Sequence, residues 1–328
     1  MQPEEFQNIF KSLDREIRKV IVGHDDVIKK VLIAFFAGGH VLLEGVPGLG
    51  KTLLVKSLSQ ALGITFKRIQ FTPDLMPSDI VGTEVLTERN GHREFQFKQG
   101  PIFAHVVLAD EINRATPKTQ SAVLEAMEER QVTVFGESHR LESPFMVLAT
   151  QNPVELEGTY PLPEAQLDRF LFKLMVLPPS PGELREILKR TTGTASGRIG
   201  TVLPANGLGL LDEMHQLLRQ VLIAPPIEEY VVRLVHATQP GAQNGSPVKS
   251  GIRQYIRFGS SPRGAQAVIL GAKGNALAEG RVHVSYEDIE DVVYQALRHR
   301  IILNFQAEAE NVTADQIIAE ILKQVPRT

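Results

Sequence analysis

The chain contains no cysteine among its 328 residues. This absence excludes disulfide bonds, thiol catalysis, iron–sulfur clusters and cysteine-ligated zinc, and it fits a reducing compartment. An excess of either charge is also missing, because 35 Lys and Arg residues stand against 38 Asp and Glu residues, a formal net charge of −3. Without a cationic excess there is no overall field for nucleic acid, so any such binding would have to be local.

Long hydrophobic runs are missing as well. The most apolar stretch, residues 31–46, is interrupted by Gly38, Gly39, His40 and Glu44. It is therefore too short and too polar to span a bilayer. The first residues are acidic and lack the apolar core of a signal peptide. We expect a soluble, cytoplasmic protein without membrane insertion, and its length suggests about two domains.

Apolar periodicity divides the chain into two parts. Short apolar runs alternate with helical segments as far as residue 176, which is typical of an α/β domain with a buried parallel sheet. These runs cover residues 41–43, 66–71, 105–109, 145–150 and 171–176. Residues 193–209 are rich in Gly, Thr and Ser, and beyond them the period is helical. We predict an α/β domain over residues 1–192, which includes N-terminal helices, and a smaller all-helical domain over 193–328, with the boundary within 193–209.

Two hairpins are predicted to interrupt the α/β pattern. The runs 83–87 and 94–97 flank Asn90-Gly91, and Asn-Gly between alternating segments is a strong hairpin signal. A second, smaller hairpin is predicted over residues 132–141, with its turn at Gly136.

A glycine-rich stretch follows the first predicted strand and precedes a helix. It reads Gly45-Val46-Pro47-Gly48-Leu49-Gly50-Lys51-Thr52. This is the phosphate-loop pattern between a strand and a helix, the context that it requires. Its glycines let backbone N–H groups turn towards phosphate oxygens, and the helix N-terminus adds positive potential. Lys51 would reach the β- and γ-phosphates, and the Thr52 hydroxyl would ligate Mg²⁺. The alternative is a glycine turn with a chance Lys-Thr pair.

Polar residues follow the next two central strands. Asp110 and Glu111 come directly after four apolar residues, and Asn152 ends a similar run. Parallel strands buried on both faces deliver such residues to the carboxyl edge of the sheet, where open α/β folds bind ligands. Asp110 would hold magnesium through water, and Glu111 would act as general base on the attacking water. Asn152 would position that water or touch the γ-phosphate. The alternatives are an acidic helix cap for the pair and a turn-forming Asn before Pro153.

Two arginines are candidates for contact with phosphate. Arg169 precedes the fifth strand and is a candidate arginine finger, which a neighbouring subunit can supply. Its alternative is a surface ion pair with Asp168. Residues 230–278 hold no Asp or Glu but six Lys or Arg residues, so at least one cation is expected to face phosphate rather than a carboxylate. Arg263 is the strongest of these six. The glutamate-rich stretch 125–129 is interpreted as a solvated helix face.

Together these motifs resemble the AAA+ ATPases, and more narrowly their MoxR-type branch, over nearly the whole chain. In order, they are residues 21–24, 45–52 as Walker A, 108–114 as Walker B, 149–153 as sensor 1, 165–170 as the finger segment and 261–263 as sensor 2. The hairpin at 83–97 matches the helix-2 insertion that marks this branch. The resemblance implies an AAA+ P-loop domain, with a central parallel sheet flanked by helices, followed by an all-α lid.

The resemblance also implies a Mg-dependent ATPase that works as a hexameric ring, with ATP bound between subunits. Lys51, Thr52, Asp110, Glu111 and Asn152 would act in one subunit. Arg169, with or without Arg114, would come from the next subunit, and Arg263 would sense nucleotide through the lid. The remaining nucleotide contacts that it implies are Val22, Gly23 and Leu53. The work implied is chaperone-like remodelling or maturation of client proteins, including partners with a von Willebrand factor A domain.

Two other functions remain open. The first is a nucleic-acid motor or a magnesium-chelatase-like subunit, because related rings use similar hairpins. The charges of the hairpin at 83–97 are balanced, so nucleic acid is not the expected partner. The second is a scaffold gated by slow nucleotide turnover, against which the intact pair Asp110 and Glu111 argues.

Overall fold

The computed structural model describes residues 1–89, 92–153, 158–193, 197–204, 207–240 and 250–327. The helices are α1 (Pro3–Arg18), α2 (Asp25–Phe36), α3 (Lys51–Leu62), α4 (Pro77–Val81), α5 (Pro117–Glu129), α6 (Glu164–Leu167), α7 (Pro181–Thr192), α8 (Gly207–Gln220), α9 (Pro225–Ala237), α10 (Ser250–Arg253), α11 (Pro262–Ala278), α12 (Tyr286–Leu297), α13 (Phe305–Ala309) and α14 (Ala314–Gln324). The strands are β1 (Val41–Glu44), β2 (Phe66–Gln70), β3 (Gly82–Arg89), β4 (His92–Gln99), β5 (Val106–Asp110), β6 (Gln131–Val134), β7 (Glu137–Arg140), β8 (Met146–Gln151), β9 (Phe172–Met175), β10 (Ile256–Phe258) and β11 (Ile302–Leu303).

Five of these strands form one parallel sheet in the order β2-β5-β8-β1-β9. They are the five strands that the apolar runs predict, and the α/β fold class is confirmed. Because all five strands run in the same direction, their carboxyl ends share one edge of the sheet. That edge carries the residues that follow β1, β5 and β8.

Alternation along the central strands explains why helices cover both faces of the sheet. Val41 and Leu43 belong to one apolar core and Leu42 to the other. In β5, Val106 and Leu108 face the first core, while Val107 and Ala109 face the second. Successive side chains of a strand point to opposite faces, so a strand that is apolar at every position needs a cover on both sides. The first core holds α1, α2 and α3, and the second holds α5.

Both predicted hairpins are present. β3 pairs with β4 in antiparallel register from Gly82 opposite Gln99 onwards, while Asn90 and Gly91 of the predicted turn lie outside the described residues. β6 pairs with β7, and the turn between them is formed by Phe135 and Gly136, which both have positive φ. Two residues at positive φ are the geometry that joins hairpin strands most tightly.

The C-terminal part is helical, as predicted. A short antiparallel pair of strands, β10 with β11, is added to its helices and was not predicted from the sequence. The apolar core that contains α1 and α2 also contains residues of α8, α9, α11, α12 and α14. An ion pair between Lys30 and Asp291 links α2 to α12. The domain boundary within 193–209 stays a prediction. In the part of the chain that the structure describes, no helix has the length and hydropathy needed to cross a bilayer.

Candidate functional site

A cleft of about 350 Å³ opens at the carboxyl edge of the sheet. It brings together residues that were proposed from three separate segments of the sequence. They are Pro47, Gly48, Gly50, Lys51, Thr52, Leu53, Asp110, Glu111 and Asn152. The register explains the convergence: Glu44 lies opposite Gln151, so the loop after β1 begins beside the residue that follows β8.

The loop over residues 45–52 requires glycine at positions that the structure identifies. A Cβ atom on Gly45 would lie 2.5 Å from the carbonyl oxygen of Val176, so no larger residue fits where the loop leaves β1. Gly48 and Gly50 have φ of +84° and +77°, a region that L side chains rarely adopt. A Cβ atom on either would meet no atom within 4 Å, so the space around the loop is open. Gly45, Val46 and Leu49 complete the loop around this opening.

Lys51 begins α3 and is buried in the cleft. Its Nζ atom donates to the carbonyl oxygen of Gly45 at 2.5 Å. Burial lowers the pKa of Lys51, and the nearby carboxylates of Asp110, Glu111 and Glu44 act in the opposite direction. A cation held by a loop carbonyl at the start of a helix is suited to an anionic ligand that can replace that carbonyl.

Thr150 organises the two carboxylates at the end of β5. Its hydroxyl donates to Oδ1 of Asp110 at 2.6 Å and accepts from the backbone N–H of Glu111 at 2.8 Å. Glu111 has a left-handed φ of 57°, so this hydrogen bond supports a backbone conformation that is uncommon for a residue other than glycine. Thr150 is fully buried in β8. Its role at the site was not predicted from the sequence.

Two side chains of β2 also reach the carboxylates, and neither was predicted from the sequence. Arg68 donates to Oδ2 of Asp110 from Nε at 2.9 Å and from Nη2 at 2.7 Å. Gln70 Nε2 donates to Oε2 of Glu111 at 2.8 Å. The only local signal is that positions 68 and 70 are polar and lie on one face of the strand, while Ile69 is buried on the other.

Arg114 contacts Glu111 of its own chain. Its Nη1 atom lies 3.1 Å from Oε2 of Glu111, three residues earlier. Within one chain this arginine therefore pairs with a carboxylate of the cleft that holds Lys51. Whether Arg114 also serves a neighbouring subunit stays a prediction.

The residues of the cleft fit a nucleoside triphosphate with magnesium. An open loop of backbone N–H groups with a buried lysine suits phosphate oxygens, and Asp110 and Thr52 supply the oxygen ligands that Mg²⁺ prefers. Among the described residues, no cluster of three or more His, Asp or Glu side chains could hold a metal ion alone. Magnesium would therefore bind through few protein ligands together with phosphate, which is its usual mode.

Val22 and Gly23 lie outside the lining of this cleft, in the loop between α1 and α2. A Cβ atom on Gly23 would lie 2.4 Å from Oε1 of Glu183, so this loop packs against the first turn of α7. A nucleotide contact by Val22 or Gly23 stays a prediction.

Arg169 and Arg263 lie at the opposite edge of the sheet. Both line a second cleft of about 280 Å³, together with His40 and Leu171, which immediately precede β1 and β9. β1 is four residues long, so about 13 Å of strand separates this edge from the phosphate loop. One chain therefore does not bring Arg169 or Arg263 to Lys51.

Glu128 of α5 is the partner of both arginines. Arg263 Nη2 donates to Glu128 Oε1 at 2.6 Å, and Arg169 Nε lies 3.8 Å from Glu128 Oε2. Within one chain Arg263 therefore does face a carboxylate, because α5 supplies an acid from outside the acid-free span; its contact with phosphate stays a prediction. Glu128 is exposed, as the interpretation of 125–129 as a solvated helix face predicts, but it also serves as counter-ion to these two arginines.

Asp168 does not pair with Arg169, the surface ion pair weighed as the alternative for this arginine. Its Oδ1 atom accepts from Arg300 Nε at 2.7 Å, and Ser261 Oγ donates to its carboxylate at 2.9 Å. Both partners come from the C-terminal helical part. Arg169 is thus left beside the second cleft, with its Nη1 atom donating to the carbonyl oxygen of Leu124.

Comparisons with known proteins agree with the fold and the motifs. Residues 40–172 match the model of the ATPase family associated with various cellular activities (AAA), and residues 249–321 match the AAA lid domain. A solved structure of a candidate ATPase from Cytophaga hutchinsonii is 41% identical in sequence and superposes with a TM-score of 0.90. The match covers 99% of this chain and 96% of the chain in that structure.

Curated relatives extend the similarity over almost the whole chain. The chaperone MoxR1 of Mycobacterium tuberculosis is 43% identical over 312 residues, which are 94% of this chain and 80% of the relative. The uncharacterized protein YeaC of Bacillus subtilis is 44% identical over 309 residues, 94% of this chain and 92% of YeaC. The protein MoxR of Methylorubrum extorquens is 32% identical over 336 residues, 96% of this chain and 93% of the relative.

The position of Thr150 leads to a stability prediction. Thr150→Val keeps the volume but leaves a buried oxygen of Asp110 and the N–H of Glu111 without their partner, so we expect a loss of about 2–3 kcal/mol in the free energy of unfolding. Thr150→Ser keeps the hydroxyl and loses one methyl group, which costs about 1 kcal/mol. Urea unfolding of the three proteins measures both losses. A valine variant as stable as the serine variant would contradict this role of the hydroxyl.

Proposed function

Because this chain belongs to the MoxR branch of the AAA+ ATPases, we propose that it hydrolyses ATP between subunits and uses the energy to remodel client proteins. The observation that carries the proposal is the convergence of Lys51, Thr52, Asp110 and Glu111 in one cleft next to the phosphate loop. The printed name of the relative MoxR1, a chaperone, supports protein clients.

Each residue of the cleft has a defined task in this proposal. The loop N–H groups and Lys51 bind the β- and γ-phosphates, and Thr52 and Asp110 hold magnesium. Magnesium bound there supplies positive charge that neutralises the phosphate oxygens. Glu111 accepts a proton from the attacking water, and Asn152 orients that water from the end of the neighbouring strand. Leu53 closes the wall of the cleft beside Thr52, and Val22 and Gly23 contact the base.

Arg169 and Arg263 act on the nucleotide of another chain in this proposal. Both line the cleft at the edge of the sheet opposite to the phosphate loop, and they share Glu128 as a counter-ion. A head-to-tail ring would set this edge against the phosphate-loop edge of the next subunit. There the two guanidinium groups would exchange Glu128 for phosphate oxygens, a stronger and bidentate partner. We propose a homo-oligomeric ring, most simply a hexamer.

The hairpins favour a polypeptide client over nucleic acid. Leu86 and Phe95 are cross-strand partners on the hairpin of β3 and β4, and both are exposed. Phe135 at the turn of the β6–β7 hairpin is 73% exposed. Exposed apolar side chains bind protein surfaces, whereas affinity for nucleic acid comes from cations that contact phosphates. We propose that its clients include proteins with a von Willebrand factor A domain.

The trans role of Arg169 can be tested by subunit mixing. Arg169→Ala should bind ATP normally but lose about 10²-fold or more of its turnover, since an arginine finger stabilises charge in the transition state. Mixing it with Glu111→Gln protein should restore part of the turnover, because some interfaces then combine an intact Glu111 with an intact Arg169. Steady-state phosphate release measures both effects.

The matched control is Arg15→Ala, which removes the same side chain from an exposed position on α1. It should hydrolyse ATP as the wild type does, alone and in the mixture. Normal turnover by purified Arg169→Ala, or no recovery in mixtures that form mixed assemblies, would refute the assignment.

Client remodelling can be tested with a variant that binds ATP without hydrolysing it. Glu111→Gln removes the proton acceptor, so the protein should remain in the ATP state and retain clients. Affinity capture in the presence of ATP or ADP, followed by mass spectrometry, should identify proteins retained only with ATP. The double variant Lys51→Ala, Glu111→Gln should retain none of them. The same proteins in all three samples would contradict ATP-dependent remodelling.

A further inference from the structure

Arg68 reaches the metal-binding side of the candidate nucleotide site. It projects from β2, the edge strand of the sheet, and lines the same cleft as Lys51 and Thr52. Two of its nitrogens bond a single oxygen, Oδ2 of Asp110, while the other oxygen of that carboxylate accepts from Thr150. Both oxygens of Asp110 are therefore engaged, one of them by a full positive charge.

The same guanidinium group also orients Gln70. Arg68 Nη2 donates to Oε1 of Gln70, and the amide of Gln70 then presents its Nε2 atom to Oε2 of Glu111. Arg68 and Gln70 are two residues apart in β2 and share one face of the strand. Contacts thus run without a break from Asp110 through Arg68 and Gln70 to Glu111.

Arg68 and a magnesium ion carry charges of the same sign and would use the same carboxylate. Like charges at close range repel each other, and an arginine cannot lose its proton to relieve the repulsion. Arg68 is half exposed, so its side chain can turn towards solvent without opening the core. A guanidinium that pairs with Asp110 neutralises this acid for as long as no metal ion replaces it.

We propose that Arg68 competes with magnesium for Asp110, so that it neutralises this carboxylate in the nucleotide-free chain and leaves it when the magnesium–nucleotide complex binds. This inference rests on the proposed function of the cleft. Departure of Arg68 also removes the hydrogen bond that orients Gln70, which loosens the contact of Gln70 with Glu111. Arg68 is thus a positioning residue that links metal binding at Asp110 to the freedom of the general base.

Contact of Arg68 with phosphate would affect nucleotide affinity differently from competition with magnesium. If Arg68 remained in the cleft and contacted phosphate oxygens, its removal would weaken nucleotide binding at every magnesium concentration. Competition with magnesium instead predicts that removal of Arg68 lowers the magnesium concentration needed for nucleotide binding. Binding measurements distinguish the two roles without any measurement of turnover.

The experiment measures the dissociation constant of a fluorescent ADP analogue over a series of free magnesium concentrations. Arg68→Gln should reach half of the magnesium effect at a concentration about three- to tenfold lower than wild type, as expected for loss of one nearby like charge. Lys67→Gln is the matched control, because it removes the same charge from the adjacent, exposed position of β2. The control should stay within about twofold of wild type.

Each other outcome has a definite meaning. An unchanged or increased magnesium requirement in Arg68→Gln would overturn the inference, and weaker binding of the analogue at saturating magnesium would assign Arg68 to phosphate contact instead. Failure of the wild-type protein to bind the analogue at any magnesium concentration would overturn the proposed function itself.

Thermal unfolding gives a second test that also checks folding. In EDTA, Arg68→Gln should melt at a lower temperature than Lys67→Gln, because Asp110 has lost its counter-cation. Magnesium with ADP should close that gap. Equal melting temperatures in EDTA would show that the ion pair with Asp110 does not form and would overturn the inference.

Discussion

The parallel pairing of β1 and β5 with the central strand β8 decides where the phosphate loop, the acidic pair and Asn152 of this chain lie. Its register sets Glu44 beside Gln151 and Ala109 beside Ala149, so three strand ends open into a single cleft. The phosphate loop, the acidic pair and Asn152 meet because these strands end together, and their side chains would be far apart without the sheet. The apolar cores on both faces hold this register, since a slip of one residue would exchange the faces of every strand.

Much of the fold and of the phosphate site could be predicted from the sequence, for a physical reason. A strand buried on both faces is a continuous apolar run, and the loop over residues 45–52 needs its glycines and its lysine next to one another in the chain. The acidic pair and Asn152 directly follow such runs. Each of these signals is local, so the order of the residues contains it, and the five-stranded sheet and the helical C-terminal part are confirmed.

The contacts that could not be predicted are between residues far apart in the chain. Arg68 meets Asp110 across 42 positions, and Glu128 meets Arg263 across 135. Sequence reasoning assigns charged residues to neighbours, so it paired Arg169 with Asp168 as an alternative and regarded Glu128 as solvated. Tertiary packing instead gives Asp168 to Arg300 and Ser261, and it pairs the exposed Glu128 with Arg263. These long-range pairs give Asp110 and Arg263 partners that their neighbours in the chain do not supply.

Equilibrium binding of ATP tests the central claim most directly. Isothermal titration of the purified protein with ATP in excess magnesium should show saturable binding of one nucleotide per chain. Lys51→Ala should weaken that affinity at least about tenfold, because it removes a charge-assisted contact with the phosphates worth about 1.4 kcal/mol or more. Absence of binding by the wild-type protein, or equal affinity of the two proteins, would contradict the claim that the cleft beside the phosphate loop holds the triphosphate.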